Sequence, residues 1–414
     1  MAKLQPVRGT HDLLPEEMRR QRFVADSSRE TCARYGFDEM ATPIFEFSEV
    51  FSRSLGDVTD IVTKEMYGFT DRGGEEITLR PENTAGVVRA VISNGLTQSL
   101  PLKYFYCGPM FRYERPQKGR QRQFHQIGIE LIGVAEPQGD VEVIAAGAAV
   151  LDALGVRKDT TLELNTLGDG ESRAAYRAAL VAYFRAREGG LSAESRERLE
   201  RNPLRILDSK DEGDRALVAD APEFGDHLTP AARDFFARVP DGLARLGIAY
   251  TLNPRLVRGL DYYCHTAFEF TTTALGAQGT VMGGGRYDGL VELMGGPPTP
   301  GVGWAAGIER LAMLVANPSA AKRPVAVIPV GEAAEREAPA LAERLRRAGF
   351  RVELGYRGNV KKRFAAASKA HAAAAVIVGE AELAAATAQV KDLDSGEQAD
   401  VPLAALEDRL ARFR

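Results

Sequence analysis

Between Cys107 and Gly133 the chain reads CGPMFRYERPQKGRQRQFHQIGIELIG. Arg112, Arg115, Lys118, Arg120 and Arg122 all fall within the eleven residues from 112 to 122, on two strand signals and the loop joining them. So dense a set of cations calls for an anion. Guanidinium forks match phosphate oxygens two at a time, which fits a triphosphate or the phosphates of RNA. The strand after the loop alternates, and a period of two puts Phe124, Gln126, Gly128 and Glu130 on one face. An amide and an acid side by side there could hold a polar ligand of amine or imidazole character. On this segment alone, an exposed hairpin with a solvated basic tip explains the charges equally well.

Three further segments carry chemistry. In Leu79-Arg80-Pro81-Glu82-Asn83-Thr84 a strand ends at the proline and a helix begins. Helix capping accounts for Thr84 but leaves Arg80 and Glu82 unexplained. Leu256-Val257-Arg258-Gly259-Leu260-Asp261-Tyr262-Tyr263 sets an arginine beside a glycine, which lets backbone approach a ligand, and two tyrosines that can wall a pocket for a flat ring. Gly301-Val302-Gly303-Trp304-Ala305-Ala306-Gly307-Ile308-Glu309-Arg310 has strand positions small enough for close approach and an arginine at the start of the next helix. A bulged core strand and a close-packed strand–helix junction are the plainer readings of these last two. The chain has no GxxxxGK[ST] loop, and Gly283-Gly284-Gly285-Arg286 lacks a dinucleotide fingerprint. Phosphate would therefore be held by arginine side chains on antiparallel strands.

The elements that must position these residues follow from periodicity. Helical spacing runs over Glu16–Tyr35, closed by Gly36, and over Glu142–Leu154. Phe37–Glu46 reads as extended, with Pro43 marking an edge or a bend. Strand signals cover Ile77–Leu79, Tyr104–Tyr113, Phe124–Val134, Thr161–Thr166 and Tyr250–Thr272. Gly283–Gly285 and Gly301–Gly307 read as glycine-rich turns before helices. An Arg- and Glu-rich helical stretch interrupts the strand-rich parts. Linker composition appears around Asn317-Pro318. Beyond it, strands Val325–Val330, Phe350–Tyr356 and Ala374–Gly379 alternate with helices Ala333–Arg347 and Val360–His371, which implies a small α/β domain with largely parallel strands. The expected organisation is a catalytic body over 1–167 and 248–316, a helical insertion over 168–247, a linker over 317–324 and a C-terminal domain over 325–414.

Bulk properties set limits. The 414 residues suffice for two or three domains. With 53 Lys plus Arg against 57 Asp plus Glu, the chain is not a small basic nucleic-acid binder, although a basic face on an acidic body remains compatible with RNA. Cys32, Cys107 and Cys264 are an odd, scattered set, fitting a reducing compartment and neither a disulfide framework nor a zinc site. The start lacks a signal-peptide pattern, and the most apolar run, Val143–Leu151, is too short to span a bilayer. A cytoplasmic protein with no membrane attachment is expected.

Together these segments carry a family resemblance. FRYERPQKGRQRQFHQIGIELIG resembles motif 2 of the class II aminoacyl-tRNA synthetases, and GVGWAAGIERL resembles their motif 3. The extended segment with Pro43 looks like motif 1, the dimer-forming element. Within that class, RGLDYY and GGGRYDGL are similar to the two signatures of histidyl-tRNA synthetases, and the opening Arg8-Gly9-Thr10-His11-Asp12 and TLRPE fit the same family. The resemblance spans nearly the whole chain. Asn83 and Cys264 stand where glycine and asparagine are common in relatives, and neither departure undermines the roles that the resemblance implies.

The resemblance implies an α+β fold: an antiparallel-sheet catalytic domain with a helical insertion, plus a C-terminal α/β anticodon-binding domain. It implies that Arg112 and Arg310 hold ATP phosphates while Phe124 stacks on adenine, and that Arg120 contacts the γ-phosphate or the tRNA acceptor stem. Glu82, Thr84 and Gln126 would hold the histidine amino group. Arg258 would meet the histidine carboxylate and the α-phosphate, and with Arg112 would be catalytic. Glu130 and Tyr263 would read the imidazole, with Tyr262 and Tyr287 shaping the pocket. Arg115, Gln117 and Lys118 on the motif 2 loop, and Lys361, Lys362 and Arg363 in the C-terminal domain, would contact tRNA-His. ATP enters with Mg2+ as a substrate complex, with no prosthetic group and no assigned metal ligand in the protein. L-histidine, tRNA-His and a second copy of the chain in a homodimer are the expected partners. Because polar recognition rejects analogues strongly, no editing activity is needed, and the insertion is expected to clamp RNA. The alternative is a non-catalytic, synthetase-like regulatory subunit that senses histidine. Such subunits usually lose the motif 2 arginines and the C-terminal domain, both kept here. Another class II specificity is opposed by RGLDYY, and a pure RNA-binding module would have no need of Arg258 or Arg310.

Overall fold

The computed structural model describes residues 3–55, 61–257, 262–276, 279–316, 318 and 321–414. The chain divides into two compact units, Met1–Pro318 and Ser319–Arg414.

The first unit holds strands β1 (Asp38–Glu39), β2 (Phe45–Phe47), β3 (Tyr67–Thr70), β4 (Glu76–Leu79), β5 (Leu102–Phe111), β6 (Gln123–Ile132), β7 (Thr161–Thr166), β8 (Thr251–Leu252), β9 (Cys264–Thr271), β10 (Thr280–Arg286) and β11 (Gly301–Gly307). Eight of these form one sheet in the order β1-β5-β6-β11-β10-β9-β7-β8. Its six central strands are antiparallel, and a two-residue parallel strand lies at each edge. The segment around Pro43 is bent, as expected: β1 joins this sheet, while β2 joins a separate one of order β2-β4-β3.

Two corrections concern glycine. Gly283–Gly285 and Gly301–Gly307 are not turns but the strand interiors of β10 and β11, paired residue for residue with each other. No long helix follows Arg286. That residue is fully buried, paired to the buried Asp140 and also to Asp288.

Helices α1 (Pro15–Arg34), α2 (Ser48–Leu55), α3 (Thr84–Ser93), α4 (Pro137–Ala153), α5 (Gly170–Arg185), α6 (Ala193–Arg201), α7 (Glu212–Ala219), α8 (Pro230–Arg245), α9 (Leu290–Leu293) and α10 (Ile308–Leu314) complete the unit. Helices α1 and α4 each start with proline at the first turn, where its missing N–H costs nothing. Strand alternation puts Ile127, Ile129, Leu131, Trp304 and Phe268 on one sheet face, where they share a core with Val24 of α1, Val143 and Leu151 of α4 and Leu311 of α10. On the opposite face Tyr106, Met110 and Ile132 pack against Val87 and Val91 of α3, and a cleft opens beside them.

In the helical stretch, Asp169, Ser192, Asp211 and Thr229 each accept a backbone N–H at a helix start. Tyr176, Leu180, Phe184, Leu199 and Phe224 form a core of its own. Its last helix, α8, instead sends Val239 and Leu243 into the main core.

The second unit contains β12 (Val325–Val330), β13 (Val352–Leu354), β14 (Ala374–Gly379), β15 (Thr387–Asp392) and β16 (Gln398–Pro402), with α11 (Glu332–Arg347), α12 (Val360–Lys369), α13 (Glu380–Ala384) and α14 (Leu406–Leu410). The sheet order is β13-β12-β14-β15-β16. The expectation of largely parallel strands is corrected here: β13, β12 and β14 are parallel, but β15 and β16 add an antiparallel hairpin. No helix among the described residues is long and apolar enough to cross a membrane.

Candidate active site

The site is built on the face of the large sheet that points away from the main core. In register across it stand Gln126, Gly128 and Glu130 of β6, opposite Gly307, Ala305 and Gly303 of β11, which in turn face Gly283 and Gly285 of β10. The small residues make a floor, and the large ones stand on it. A Cβ at position 303 would lie 1.9 Å from a Glu130 carboxylate oxygen, and one at 301 would lie 2.2 Å from the Tyr287 ring. Glycine is required at both positions by what lies over them.

At one end of the cleft, Glu130 is 1% exposed. Thr84 at the start of α3 donates its hydroxyl to Glu130 Oε1 at 2.7 Å, and the Tyr287 hydroxyl donates to Oε2. Burial pushes the Glu130 carboxyl up to about 8 despite these donors, and the nearby Glu82 adds to the rise. Tyr262 and Tyr263 wall the pocket, their ring centroids 4.6 Å apart, and Tyr287 meets Tyr262 edge-on at 5.8 Å. Glu82 caps α3, accepting from Thr84 N at 2.6 Å and Ala85 N at 2.9 Å. Burial raises its proton affinity too. Gln126 Oε1 is buried without a hydrogen-bond partner among the described residues. A buried amide oxygen left open is a position prepared for a donor from a ligand.

At the other end three guanidinium groups converge. Arg112 donates to Pro81 O at 2.8 Å and lies 5.3 Å from the centroid of the Phe124 ring. Arg310 is held by Gly119 O at 3.1 Å and Thr280 O at 2.7 Å. Arg120 Nε lies 2.7 Å from Glu114 Oε2. Burial and then the Arg120 charge act against the Arg310 cation. A polyanion would relieve that repulsion.

The structure thus brings Glu82, Thr84, Arg112, Arg120, Phe124, Gln126, Glu130, Tyr262, Tyr263, Tyr287 and Arg310 to one cleft. Arg258 lies outside the described residues. Arg115, Gln117 and Lys118 sit exposed on the hairpin tip, away from the cleft floor. Arg122 does not face an anion: it stacks 3.8 Å from the centroid of Tyr113 and donates to Glu114 O. Arg80 is a buried pin rather than a partner of Glu82, donating to Pro109 O at 2.9 Å and Thr42 O at 3.0 Å.

In the second unit, Asn359 caps α12 by accepting from Lys362 N, and Lys361 and Lys362 are exposed. Arg363 must be corrected. It is 5% exposed, pairs with Glu335 at 2.5 Å and donates to Pro329 O, so it is committed to the fold and not to an RNA-facing surface. The sequence reading missed Glu114, which lines the cleft beside Arg112 and Arg120, and Glu309, whose carboxylate accepts from His125 N at 3.0 Å and meets His125 Nδ1 at 2.9 Å.

A family model described as histidyl-tRNA synthetase matches residues 9–311, and one described as an anticodon binding domain matches residues 324–412. The chain belongs to the histidyl-tRNA synthetase family. The histidine–tRNA ligase of Rhodospirillum rubrum is 62% identical over 414 residues, all of both chains. That of Gluconacetobacter diazotrophicus is 61% identical over 411 residues, 99% of each. Among solved structures, the apo histidyl-tRNA synthetase of S. aureus is similar with a TM-score of 0.82 and 33% identity, over 98% of this chain and 99% of that one.

Proposed function

We propose that this chain joins L-histidine to tRNA-His through a histidyl-adenylate, converting ATP to AMP and pyrophosphate. One observation carries the reading: a single cleft holds a buried carboxyl fixed by two hydroxyl donors at one end and three convergent guanidinium groups at the other. The first is a receptor for an N–H of a flat polar ring, the second for a triphosphate.

In the first step the histidine carboxylate attacks the α-phosphorus of ATP. The nucleophile is already anionic, so no general base is needed. Two anions must be brought together, and Arg112, with Arg258 in the role the family gives it, offsets their repulsion. Fixing both substrates on one rigid floor supplies much of the rest. ATP is the substrate as its Mg2+ complex, and Arg120 and Arg310 take the outer phosphates. Glu82, Thr84 and Gln126 receive the amino group. In the second step the terminal hydroxyl of tRNA attacks the adenylate carbonyl. The exposed tip with Arg115, Gln117 and Lys118 serves the acceptor end of the tRNA, and Lys361 and Lys362 serve the anticodon end. Three unpaired cysteines fit a reducing cytoplasm. The test is charging: labelled histidine should pass to tRNA-His only with ATP, releasing AMP and pyrophosphate. Release of ADP, or charging without ATP, would count against the scheme.

The active form is a homodimer. Phe47, Ile77 and Phe69 stand in one cross-strand row of the small sheet, with Phe45 in the next. Phe45 and Phe47 are each 55% exposed, an apolar face of the kind that protein partners cover. Sedimentation should give a dimer for the intact protein and a monomer for Phe47→Asp. A fully active wild-type monomer would contradict this.

A further inference from the structure

Behind Glu130 lies a residue with no role so far. Tyr106 of β5 is 1% exposed and is the cross-strand partner of Gly128. Its phenol lies across that glycine, where a Cβ would be 2.3 Å from both its Cζ and its hydroxyl oxygen. The hydroxyl ends beside Glu130, Glu82 and Thr84, close enough to favour the Glu130 carboxylate but without a well-formed hydrogen bond to any of them. An unsatisfied hydroxyl at that depth is costly unless another state of the site uses it.

The Glu130 carboxylate offers about four acceptor positions on its two oxygens. Thr84 occupies one on Oε1 and Tyr287 one on Oε2. We propose that Tyr106 is a positioning residue whose hydroxyl fills a third, so that ionised Glu130 is left with one acceptor site, aimed into the cleft at a ring N–H of the substrate. Three hydroxyl donors from three different elements fix the carboxylate as an acceptor and fix its plane. The groups facing Glu130 are Thr84 on α3 and Glu82 just before it, Tyr106 on β5, Tyr287 after β10, and Tyr262 and Tyr263 before β9. Glu82 opposes ionisation, while the Thr84, Tyr106 and Tyr287 hydroxyls favour it, and burial outweighs them in the free protein. This inference rests on Glu130 being the imidazole receptor.

The experiment is Tyr106→Phe, which removes the oxygen and keeps the ring. The Glu130 carboxyl is followed by infrared spectroscopy of protein carrying labelled glutamate, against a Glu130→Gln control, without histidine or ATP. Losing a donor to the ionised form should move the titration up by about one pH unit. In ATP–pyrophosphate exchange the variant should show a histidine KM raised roughly tenfold at pH 7, shrinking toward wild type above pH 9, with kcat and the KM for ATP unchanged. A fluorinated tyrosine at position 106, a stronger donor of the same shape, should move the carboxyl titration down. It also gives an answer should the phenylalanine variant fail to fold. An unmoved Glu130 titration in both proteins overturns the inference, as does a KM rise independent of pH or shared with ATP. If wild-type protein showed no histidine-dependent exchange at all, the functional reading would fail instead. The infrared result separates the two.

Discussion

A carboxyl at 1% exposure holding a proton up to about pH 8 has consequences that can be measured at Glu130 itself. Below about pH 4.5 the folded and unfolded chains both carry the proton, and its contribution to stability is fully present. As the pH rises toward 8 only the folded chain retains the proton, so that contribution is lost. Glu130→Gln should therefore flatten the decline in melting temperature across this window, checked by thermal melts at several pH values. An unchanged slope would show that the carboxyl is ionised in the folded protein. In Glu130→Ala, Thr84 and Tyr287 lose their acceptor and the substrate ring loses its partner. Histidine affinity should fall roughly ten- to hundredfold, as expected for about 1–3 kcal/mol, while ATP binding persists; equilibrium titration of each ligand checks both. The pairing of Gln126 with Glu130 was readable because a strand repeats every two residues. The burial of Arg363 was readable in principle as well. Val360, Phe364 and Ala367 mark the inward face of α12, and Arg363 lies on it. A run of cations drew the eye to charge where the helix period decides exposure. The Glu130–Tyr287 contact was not readable, since 157 residues separate the partners and only the sheet order joins them.

At the level of elements, the strand positions were legible within a few residues wherever β-branched and aromatic residues cluster, as in β5, β6, β7, β12 and β14. The reading failed where strands are made of glycine. Gly283–Gly285 and Gly301–Gly307 look like punctuation in isolation. In the sheet, one face of each strand must stay empty under Glu130, Tyr287 and Tyr263, and only glycine leaves it empty. The β15–β16 hairpin escaped notice for another reason. Its alternation over Ala388, Val390, Ala399 and Val401 is short, and its apolar residues are mostly small. The glycine floor gives a direct expectation. In Gly303→Ala the new methyl would occupy the space of a Glu130 oxygen and come within 2.4 Å of Ile129 O, so the carboxylate must leave its two donors. Histidine-dependent activity should fall by at least tenfold, more than the loss in thermal stability alone explains, because overpacking of this kind costs about 1–3 kcal/mol. Steady-state kinetics beside a melting curve would check it, and wild-type histidine KM in the variant would show that the floor can give.

For the whole molecule, the two compact units allow the labour to be divided. Removing residues 324–414 should leave histidine-dependent pyrophosphate exchange largely intact and cripple the charging of tRNA-His. Replacing Lys361 and Lys362 with Ala in the intact chain should weaken tRNA binding and lower its salt dependence by about one unit of slope for each RNA phosphate left without its lysine. Equal charging by the truncated and intact proteins would mean the C-terminal unit has another task. The central claim, that one cleft recognises histidine at Glu130 and activates it at the arginines, is tested most directly by amino-acid-dependent ATP–pyrophosphate exchange. The purified chain, without tRNA, should catalyse exchange with L-histidine and not with the other standard amino acids, and Glu130→Ala should weaken it roughly ten- to hundredfold at low histidine while ATP still binds. Absence of histidine-dependent exchange in the wild-type protein, or equal exchange with another amino acid, would contradict the account.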